Sequence, residues 1–386
     1  MDFFTSSSFW FLIATSLGKT LFLIFLVVLP MVSYTVYAER RVSALIQDRI
    51  GPNRTGFPLT LLGFKKDFSP FLGGLGQPVA DAVKFLLKED FVPGHVNKLY
   101  FWIAPALAMM PALVTLAAVP FGSSFLGVPM VVADINVGLL FMFAVSSVGV
   151  YGIVLAGWSS NSKYSFLGGI RSTSQMISYE LGLGLSAVPV LLVTGTSHLR
   201  KIVEYQVDHG WTLLPFTDGG LNLRDALLFV PMLIAFITFT ISMFAETNRL
   251  PFDLPESETE LVAGYHTEYS SMKFALFFLG EYTAMIAGSA LIVVLFLGGW
   301  HLPFIPDGAG KGGLDFLHAL PSWIWGLVNI TAFFGKVAAL LFVFIWVRWT
   351  LPRFRYDQLM KLGWLYIFEI ALVNIFLTAG ILAFTK

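Results

Sequence analysis

Residues 274–297 read FALFFLGEYTAMIAGSALIVVLFL, a run in which Glu281 is the only charged side chain. A helix needs roughly 20 apolar residues to cross the hydrocarbon core of a bilayer. The run shows no alternation of polar and apolar residues, so it predicts a membrane-spanning helix rather than a strand. Seven further runs meet the same criterion, at residues 17–38, 101–121, 137–158, 176–193, 226–245, 324–347 and 365–384. We therefore predict an all-α polytopic membrane protein with about eight transmembrane helices.

The composition agrees with a protein whose solvent is lipid. Apolar residues make up 56% of the 386 residues and charged residues 12%, against about 25% in a typical soluble domain. The net charge is zero, which gives no sign of nucleic-acid binding. The chain has no Cys, and it contains no HExxH, strand-linked GxGxxG or GxxxxGK[ST] motif. We expect it to bind no metal, nucleotide or flavin by itself.

Basic residues are distributed unevenly between the segments that separate the eight runs. The segments 39–100, 159–175, 246–273 and 348–364 hold 17 of the 24 Lys and Arg residues, and the other segments hold 5. By the positive-inside rule, these four segments are inner loops facing the cytoplasm and both termini are outside. No basic n-region or cleavage site opens the chain, so we expect no signal peptide. Residues 1–386 are thus predicted to form a single integral membrane domain.

A shorter amphipathic segment lies inside the first inner loop, at residues 79–90. In helical projection Val79, Val83 and Leu87 share a face, while Asp81 and Lys84 oppose it. The segment is too short to span a bilayer, so we predict a helix at the membrane interface. Two interpretations stay open: an anchor for the loop, or a doorway for a lipid-soluble ligand.

Ionisable residues fall where lipid is expected. Glu180, Glu281, Lys336 and Glu369 lie within predicted spans, and Glu39 and Glu246 close two of them. Each such residue costs about 2.5–3.5 kcal/mol on insertion scales. A static ion pair would account for one or two of them, whereas several together favour a polar path that exchanges protons. Lys336 is either a counter-ion for a carboxylate or a proton carrier.

The segment 246–281 contains 7 of the chain's 24 acidic residues. Glu256, Glu258 and Glu260 alternate, so in an extended segment their carboxylates would share one side. A solvated acidic loop is the simplest interpretation. The interleaved Phe252 and Leu254 make partial burial plausible.

Four stretches resemble one family closely: 39–54 with ERR and QDRIGPNR, 77–84 (QPVADAVK), 245–260 (AETNRLPFDLPESETE) and 352–358 (PRFRYDQ). They are similar to the H subunit of proton-pumping NADH:quinone oxidoreductase, respiratory complex I, from about Glu39 onward. The resemblance implies a subunit without its own catalytic or metal site, which forms the quinone-access chamber and the first part of an acidic path. It implies quinone as substrate, with FMN and Fe–S clusters in partner subunits.

The resemblance also implies roles for individual residues and partners. Quinone-binding residues would be Arg40, Arg49, Asp81, Arg249, Phe252 and Asp253. The proton path would comprise Glu39, Glu180, Glu246, Glu256, Glu258, Glu260, Glu268 and Glu281. Partners would be the peripheral subunits of the quinone site and small membrane-arm subunits, in the inner membrane of a bacterial cell. The insert at 55–76, Glu369 and residues 307–313 match no family signature, and we assign them no role.

An electrostatic coupling hypothesis follows from these assignments. Quinone reduction would alter the protonation of the loop that holds Glu256, Glu258 and Glu260, and the change would pass through Glu246, Glu180 and Glu281. Two alternatives remain: the homologous membrane anchor of a membrane-bound hydrogenase, and a stand-alone ion transporter. Large inner loops and the lack of an internal repeat argue against the transporter.

Overall fold

The computed structural model describes residues 7–53, 55, 74–125, 128–214, 223–254, 261–302 and 322–385. These residues form helices and one small antiparallel hairpin of strands β1 (Ser124–Phe125) and β2 (Val128–Pro129). The α-helices are α1 (Ser7–Leu21), α2 (Leu29–Ile46), α3 (Gln77–Leu87), α4 (Lys98–Thr115), α5 (Gly138–Ser159), α6 (Lys163–Thr194), α7 (Leu199–His209), α8 (Leu223–Glu246), α9 (Ser271–Phe296), α10 (Ser322–Thr350), α11 (Tyr356–Lys361) and α12 (Phe368–Phe384). Short 3-10 turns lie at Leu116–Ala118 and Gly264–His266, and π-helical segments at Phe22–Val28 and Leu362–Ile367.

The predicted eight spans are confirmed. Helices long and apolar enough to cross a membrane occupy Ala14–Ile46, Lys98–Ala118, Gly138–Ser159, Lys163–Thr194, Leu223–Glu246, Ser271–Phe296, Trp323–Thr350 and Tyr356–Phe384. The π-helical segments join α1 to α2 and α11 to α12, so each pair forms one continuous span. The orientation of the termini stays a prediction.

Three helices extend further than their apolar runs. The first span continues to Ile46, the fourth begins at Lys163 and the eighth begins at Tyr356. In the fourth, Ser165 and Ser172 are buried against other parts of the protein. A hydropathy criterion ends such helices early, because helix residues that pack against protein rather than lipid need not be apolar.

Helix α9 runs through the centre of the described structure. Its most apolar window is 78% buried, whereas the corresponding windows of the other spans are 22–50% buried. Helices α2, α4, α8 and α10 all contact it. Most of α9 is therefore surrounded by other helices, and its buried polar residues need partners within the protein.

Small residues allow close contact between helices at two places. A Cβ built on Gly152 of α5 lies 2.5 Å from the backbone nitrogen of Ala108 in α4. A Cβ built on Gly168 of α6 lies 2.8 Å from Cα of Gly264. Backbones approach this closely only where a side chain is missing, a common device for packing helices in membranes.

The amphipathic helix is found at Gln77–Leu87, beginning two residues before the predicted segment and ending three before its end. No residue of α3 is buried, and Leu86 and Leu87 are 67% and 81% exposed. The hydroxyl of Ser271 donates to the carbonyls of Phe85 and Lys88, both at 2.9 Å, which fixes the end of α3 beside α9. The helix therefore presents an open apolar face next to the bundle.

We predict that Gly152→Ala destabilises the protein by about 1–3 kcal/mol, because the added methyl group displaces the backbone of α4. Gly184→Ala in α6 is the matched control, since a Cβ built there has no atom within 4 Å. The measurement is the thermal unfolding temperature of the detergent-solubilised protein. A Gly152→Ala variant as stable as the control would contradict the close packing described.

Candidate functional site

The loop after α8 is held against α6 by one buried amide. Gln175 is fully buried, and its side-chain nitrogen donates to the carbonyls of Ala245 and Phe252, at 2.8 and 2.7 Å. The same nitrogen lies 3.2 Å from the amide oxygen of Asn248. These contacts fix both ends of the segment that carries Arg249, so its side chain is positioned from α6.

A carboxylate and two arginines meet where this loop faces the bundle. Glu39 lies near the end of α2 and is 7% exposed. Its Oε1 is 3.8 Å from Nη1 of Arg249 and in contact with Nη1 of Arg348 from α10. Its Oε2 accepts a hydrogen bond from the hydroxyl of Tyr282 in α9. We call these four residues the Glu39 cluster.

The Tyr282 ring has a second role in the Glu39 cluster. The guanidinium carbon of Arg249 lies 4.1 Å from the ring centroid, and Arg249 is 5% exposed. A cation over an aromatic face is stabilised by the ring quadrupole, more so when it is desolvated. Tyr282 therefore holds both the carboxylate and one of the arginines.

A second ion pair lies further along the same loop. Asp253 is 4% exposed and accepts a hydrogen bond of 2.8 Å from Nη2 of Arg353. The neighbouring Phe252 packs edge-on against Tyr179, at 5.5 Å between ring centroids, and at 5.5 Å from Phe354. The loop is thus clamped between α6 and the segment before α11.

Two of the three remaining predicted quinone-binding residues join α2 to α3. Arg40 forms an ion pair of 2.7 Å with Asp81, which also accepts a hydrogen bond of 3.0 Å from Gln77. This pair joins the end of α2 to the amphipathic helix and is partly exposed. Arg49 is exposed and donates to Gln47, so the structure does not bring it to the Glu39 cluster.

Two predicted proton-path residues line a cavity of about 100 Å³, and a third, Glu180, lies near one of them. Glu246 and Glu281 line it, and Oε2 of Glu246 is buried without a hydrogen-bond partner among the described residues. Glu180 accepts a hydrogen bond from Ser147 and lies near enough to Glu246 for their charges to interact. Glu281 accepts a hydrogen bond of 2.8 Å from Tyr265. The cavity is large enough to hold water.

Helix α9 connects the cavity to the Glu39 cluster. Glu281 and Tyr282 are consecutive, and on a helix consecutive side chains point about 100° apart. Glu281 therefore reaches the cavity while Tyr282 reaches Glu39. A displacement of this one turn moves a residue of each site.

Glu268 is not among the residues that line the cavity. Glu256, Glu258 and Glu260 lie outside the described residues. Glu268 is partly exposed and makes no hydrogen bond or ion pair with another described residue. Their proposed role in the proton path stays a prediction.

Lys336 has neither a carboxylate counter-ion nor a place in the cavity among the residues that the structure describes. Its ammonium donates to the backbone carbonyls of Leu297, Gly299 and His301, at 2.8, 3.0 and 2.5 Å. It also lies 4.3 Å from the ring centroid of Trp211. The lysine thus caps the carboxyl end of α9, where a cation complements the helix dipole.

Sequence reasoning does not identify the uncharged members of the site. Gln175, Ser147, Tyr265 and Tyr282 carry no charge, and nothing in their local sequence shows which helix they face. The available signal is a polar residue in an apolar span, and it is clear only for ionisable side chains. For Arg348 the sequence allows either a role in orientation or a place near a buried ligand.

Comparisons with known proteins give one consistent result. Residues 19–379 match the family model described as NADH dehydrogenase. The chain is 47% identical over 374 residues to an H subunit of NADH-quinone oxidoreductase from Geobacter metallireducens, covering 96% of this chain and 97% of that protein. It is 48% identical over 354 residues to the H subunit of NADH-quinone oxidoreductase from Rickettsia prowazekii, covering 92% and 90%.

We predict that Gln175→Leu frees the loop after α8, because each buried acceptor that loses its donor costs about 1–3 kcal/mol. Gln206→Leu is the matched control. Gln206 is also fully buried, donates to the carbonyl of Val294 at 2.7 Å and accepts from the nitrogen of Gly298 at 2.9 Å.

Both variants should unfold at lower temperature, but only Gln175→Leu should speed limited proteolysis between residues 245 and 254. Equal cleavage of that segment in the two variants would show that Gln175 does not hold it.

Proposed function

The chain belongs to the NADH dehydrogenase family, as the membrane-embedded H subunit of NADH-quinone oxidoreductase, and from that membership we propose how its residues serve the complex. In our proposal the Glu39 cluster and the loop 249–254 line the quinone-access chamber. The cavity with Glu180, Glu246 and Glu281 begins the acidic path toward the pump subunits. The observation that carries the proposal is the pair Glu281 and Tyr282, which joins the two sites through one turn of α9.

The apolar face of α3 suits the entry of a quinone. A polyisoprenoid tail is lipid-soluble, and Leu86 and Leu87 offer an exposed apolar surface beside the bundle. The Arg40–Asp81 ion pair holds this helix to α2, which also carries Glu39. We propose that quinone passes from the bilayer along α3 toward the Glu39 cluster.

The electrons come from elsewhere in the complex. The chain has no Cys, so it offers no thiolate ligands for an Fe–S cluster. We propose that FMN and the Fe–S clusters are held by partner subunits, and that quinone is the substrate that meets them at this subunit. Peripheral subunits of the quinone site and small membrane-arm subunits would be the neighbours.

The Glu39 cluster would sense the redox state of quinone through charge. Reduction to quinol takes up two electrons and two protons, and transient negative charge on the quinone oxygens would attract Arg249 and Arg348. Both guanidiniums also contact Glu39, so a shift toward quinone weakens their hold on the carboxylate. For Arg249 the same shift also weakens its contact with the Tyr282 ring. Electrostatic changes in a low-dielectric site are large enough to move protons on nearby carboxyl groups.

The carboxylates around the cavity would receive this change. Displacement of Tyr282 moves Glu281, whose partner is Tyr265, and water in the cavity would link Glu281 to Glu246 and then Glu180. We propose that Glu256, Glu258 and Glu260 extend the path on the loop side, and Glu268 beside them.

A multi-pass membrane location is consistent with eight apolar helices and the family. We propose the inner membrane of a bacterial cell, with the basic loops toward the cytoplasm. The named relatives all refer to quinone oxidoreductase, which favours this function over a hydrogenase anchor or a stand-alone transporter.

We predict that Asp253→Asn lowers NADH-driven quinone reduction in membranes by about tenfold or more, the equivalent of about 1.4 kcal/mol. The substitution removes the counter-charge of Arg353 and loosens the loop beside Arg249. Electron transfer from NADH to an artificial soluble acceptor should survive, since that reaction bypasses the quinone.

Asp357→Asn is the control, because Asp357 forms an exposed ion pair with Arg355 at 3.5 Å. If Asp253→Asn leaves both activities and proton pumping intact, the loop is structural and the quinone-chamber assignment fails. If both activities are lost, a native gel shows whether the complex still assembles. A missing complex indicates failed assembly rather than an effect at the quinone site.

A further inference from the structure

Several ionisable side chains inside the spans find partners within the same chain. Lys19 donates to the carbonyl oxygens of Pro129 and Val131, at 3.2 and 2.9 Å. Glu281 accepts a hydrogen bond from Tyr265. An unpaired charge is costly in the apolar part of a membrane, and these contacts avoid that cost.

Glu369 is different. It lies in the last span, Tyr356–Phe384, about 20 Å along the helix from the first of these residues and about 22 Å from the last. It is exposed, and it makes no hydrogen bond or ion pair with another described residue. The predicted span, 365–384, places Glu369 near a helix end, whereas the longer helix places it near the middle.

The face of the last span that carries Glu369 is apolar and open. Tyr366, Val373 and Phe376 lie three, four and seven positions away, so they share this face, and they are 59%, 64% and 70% exposed. The opposite face packs on the bundle, where Asn374 donates to the carbonyl of Pro231 at 2.9 Å. Glu369 therefore points away from the described part of the bundle.

The charge of Glu369 selects among the possible neighbours of this face. Lipid tails offer neither a cation nor a hydrogen-bond donor at this depth. A second copy of this chain, packed through the same face, would bring another carboxylate to the contact. A helix with a Lys or Arg supplies the opposite charge, and intramembrane charges characteristically pair in this way.

We propose that the face of the last span with Tyr366, Glu369 and Phe376 docks a transmembrane helix of another membrane subunit of the complex, which presents a Lys or Arg to Glu369. The apolar side chains around Glu369 pack against that helix, and the ion pair sets its depth. The contact lies on the last span, away from the Glu39 cluster and the cavity.

The first experiment maps the neighbour in the assembled complex, in its own membrane. A photo-crosslinking amino acid at position 376 should capture a membrane-spanning segment of another subunit, with a Lys or Arg within one helical turn of the level of Glu369. The same probe at Phe342, an exposed apolar position on α10, is the control and should not capture that segment. Crosslinks from position 376 to lipid alone, or to a helix without a cation at that level, would overturn the proposal.

The second experiment tests the ion pair. Glu369→Leu should lower the fraction of detergent-solubilised complexes that retain the captured subunit by about tenfold, because it leaves the partner's cation unpaired. If lipid covers this face instead, leucine suits it better than glutamate and retention does not fall. Glu369→Lys should also lower retention, and changing the partner's cation to Glu should restore it.

Asp357→Asn serves again as the control, since this carboxylate lies near the start of the same span and is 61% exposed. It should leave subunit retention unchanged. Unchanged retention in Glu369→Leu, or no restoration by the charge reversal, would refute the ion pair. Retention is read without quinone chemistry, so this test fails or succeeds independently of the proposed quinone site.

Discussion

The contact of Glu39 with Arg249, Arg348 and Tyr282 is the interaction on which the described site depends. Its members come from α2, the loop after α8, α9 and α10, so it exists only when all four are in register. Charges removed from water are costly unless their geometry is held firmly. The surrounding structure supplies that hold: Gln175 fixes the loop, Lys336 caps α9, and the bundle encloses α9.

Two consecutive residues of α9 connect the Glu39 cluster to the cavity. Tyr282 belongs to the Glu39 cluster, and Glu281 faces a cavity that Glu246 also lines. A change of charge among the arginines therefore has a short mechanical and electrostatic route to buried carboxylates. The chain offers no thiolate for a redox cluster yet belongs to the NADH dehydrogenase family. In our proposal its contribution is to bring a quinone chamber and a proton path together.

Much of the fold followed from hydropathy, since eight apolar runs predicted eight spans and the sequence motifs identified the family. The start of α6 did not follow, because serines and glycines packed against protein lower the local hydropathy. The start of the last span did not follow either, because its first turns carry the exposed residues Asp357 and Lys361. Charge located Glu39, Glu180, Glu246 and Glu281. The charge pattern could not identify the neutral Tyr282 or Gln175, because a local sequence does not determine how helices are rotated relative to one another. For the same reason, the sequence could not predict that the partners of Lys336 are backbone carbonyls.

The most direct test of the account is the number of protons translocated per electron in sealed vesicles that carry Tyr282→Phe. The ring and its contact with Arg249 remain, and the hydrogen bond to Glu39 is lost. Tyr269→Phe is the control, because its hydroxyl lies 3.4 Å from that of Ser159, away from the cavity. The account predicts that quinone reduction continues while protons per electron fall in Tyr282→Phe, with both unchanged in the control. A Tyr282→Phe enzyme that pumps at the full ratio would contradict it.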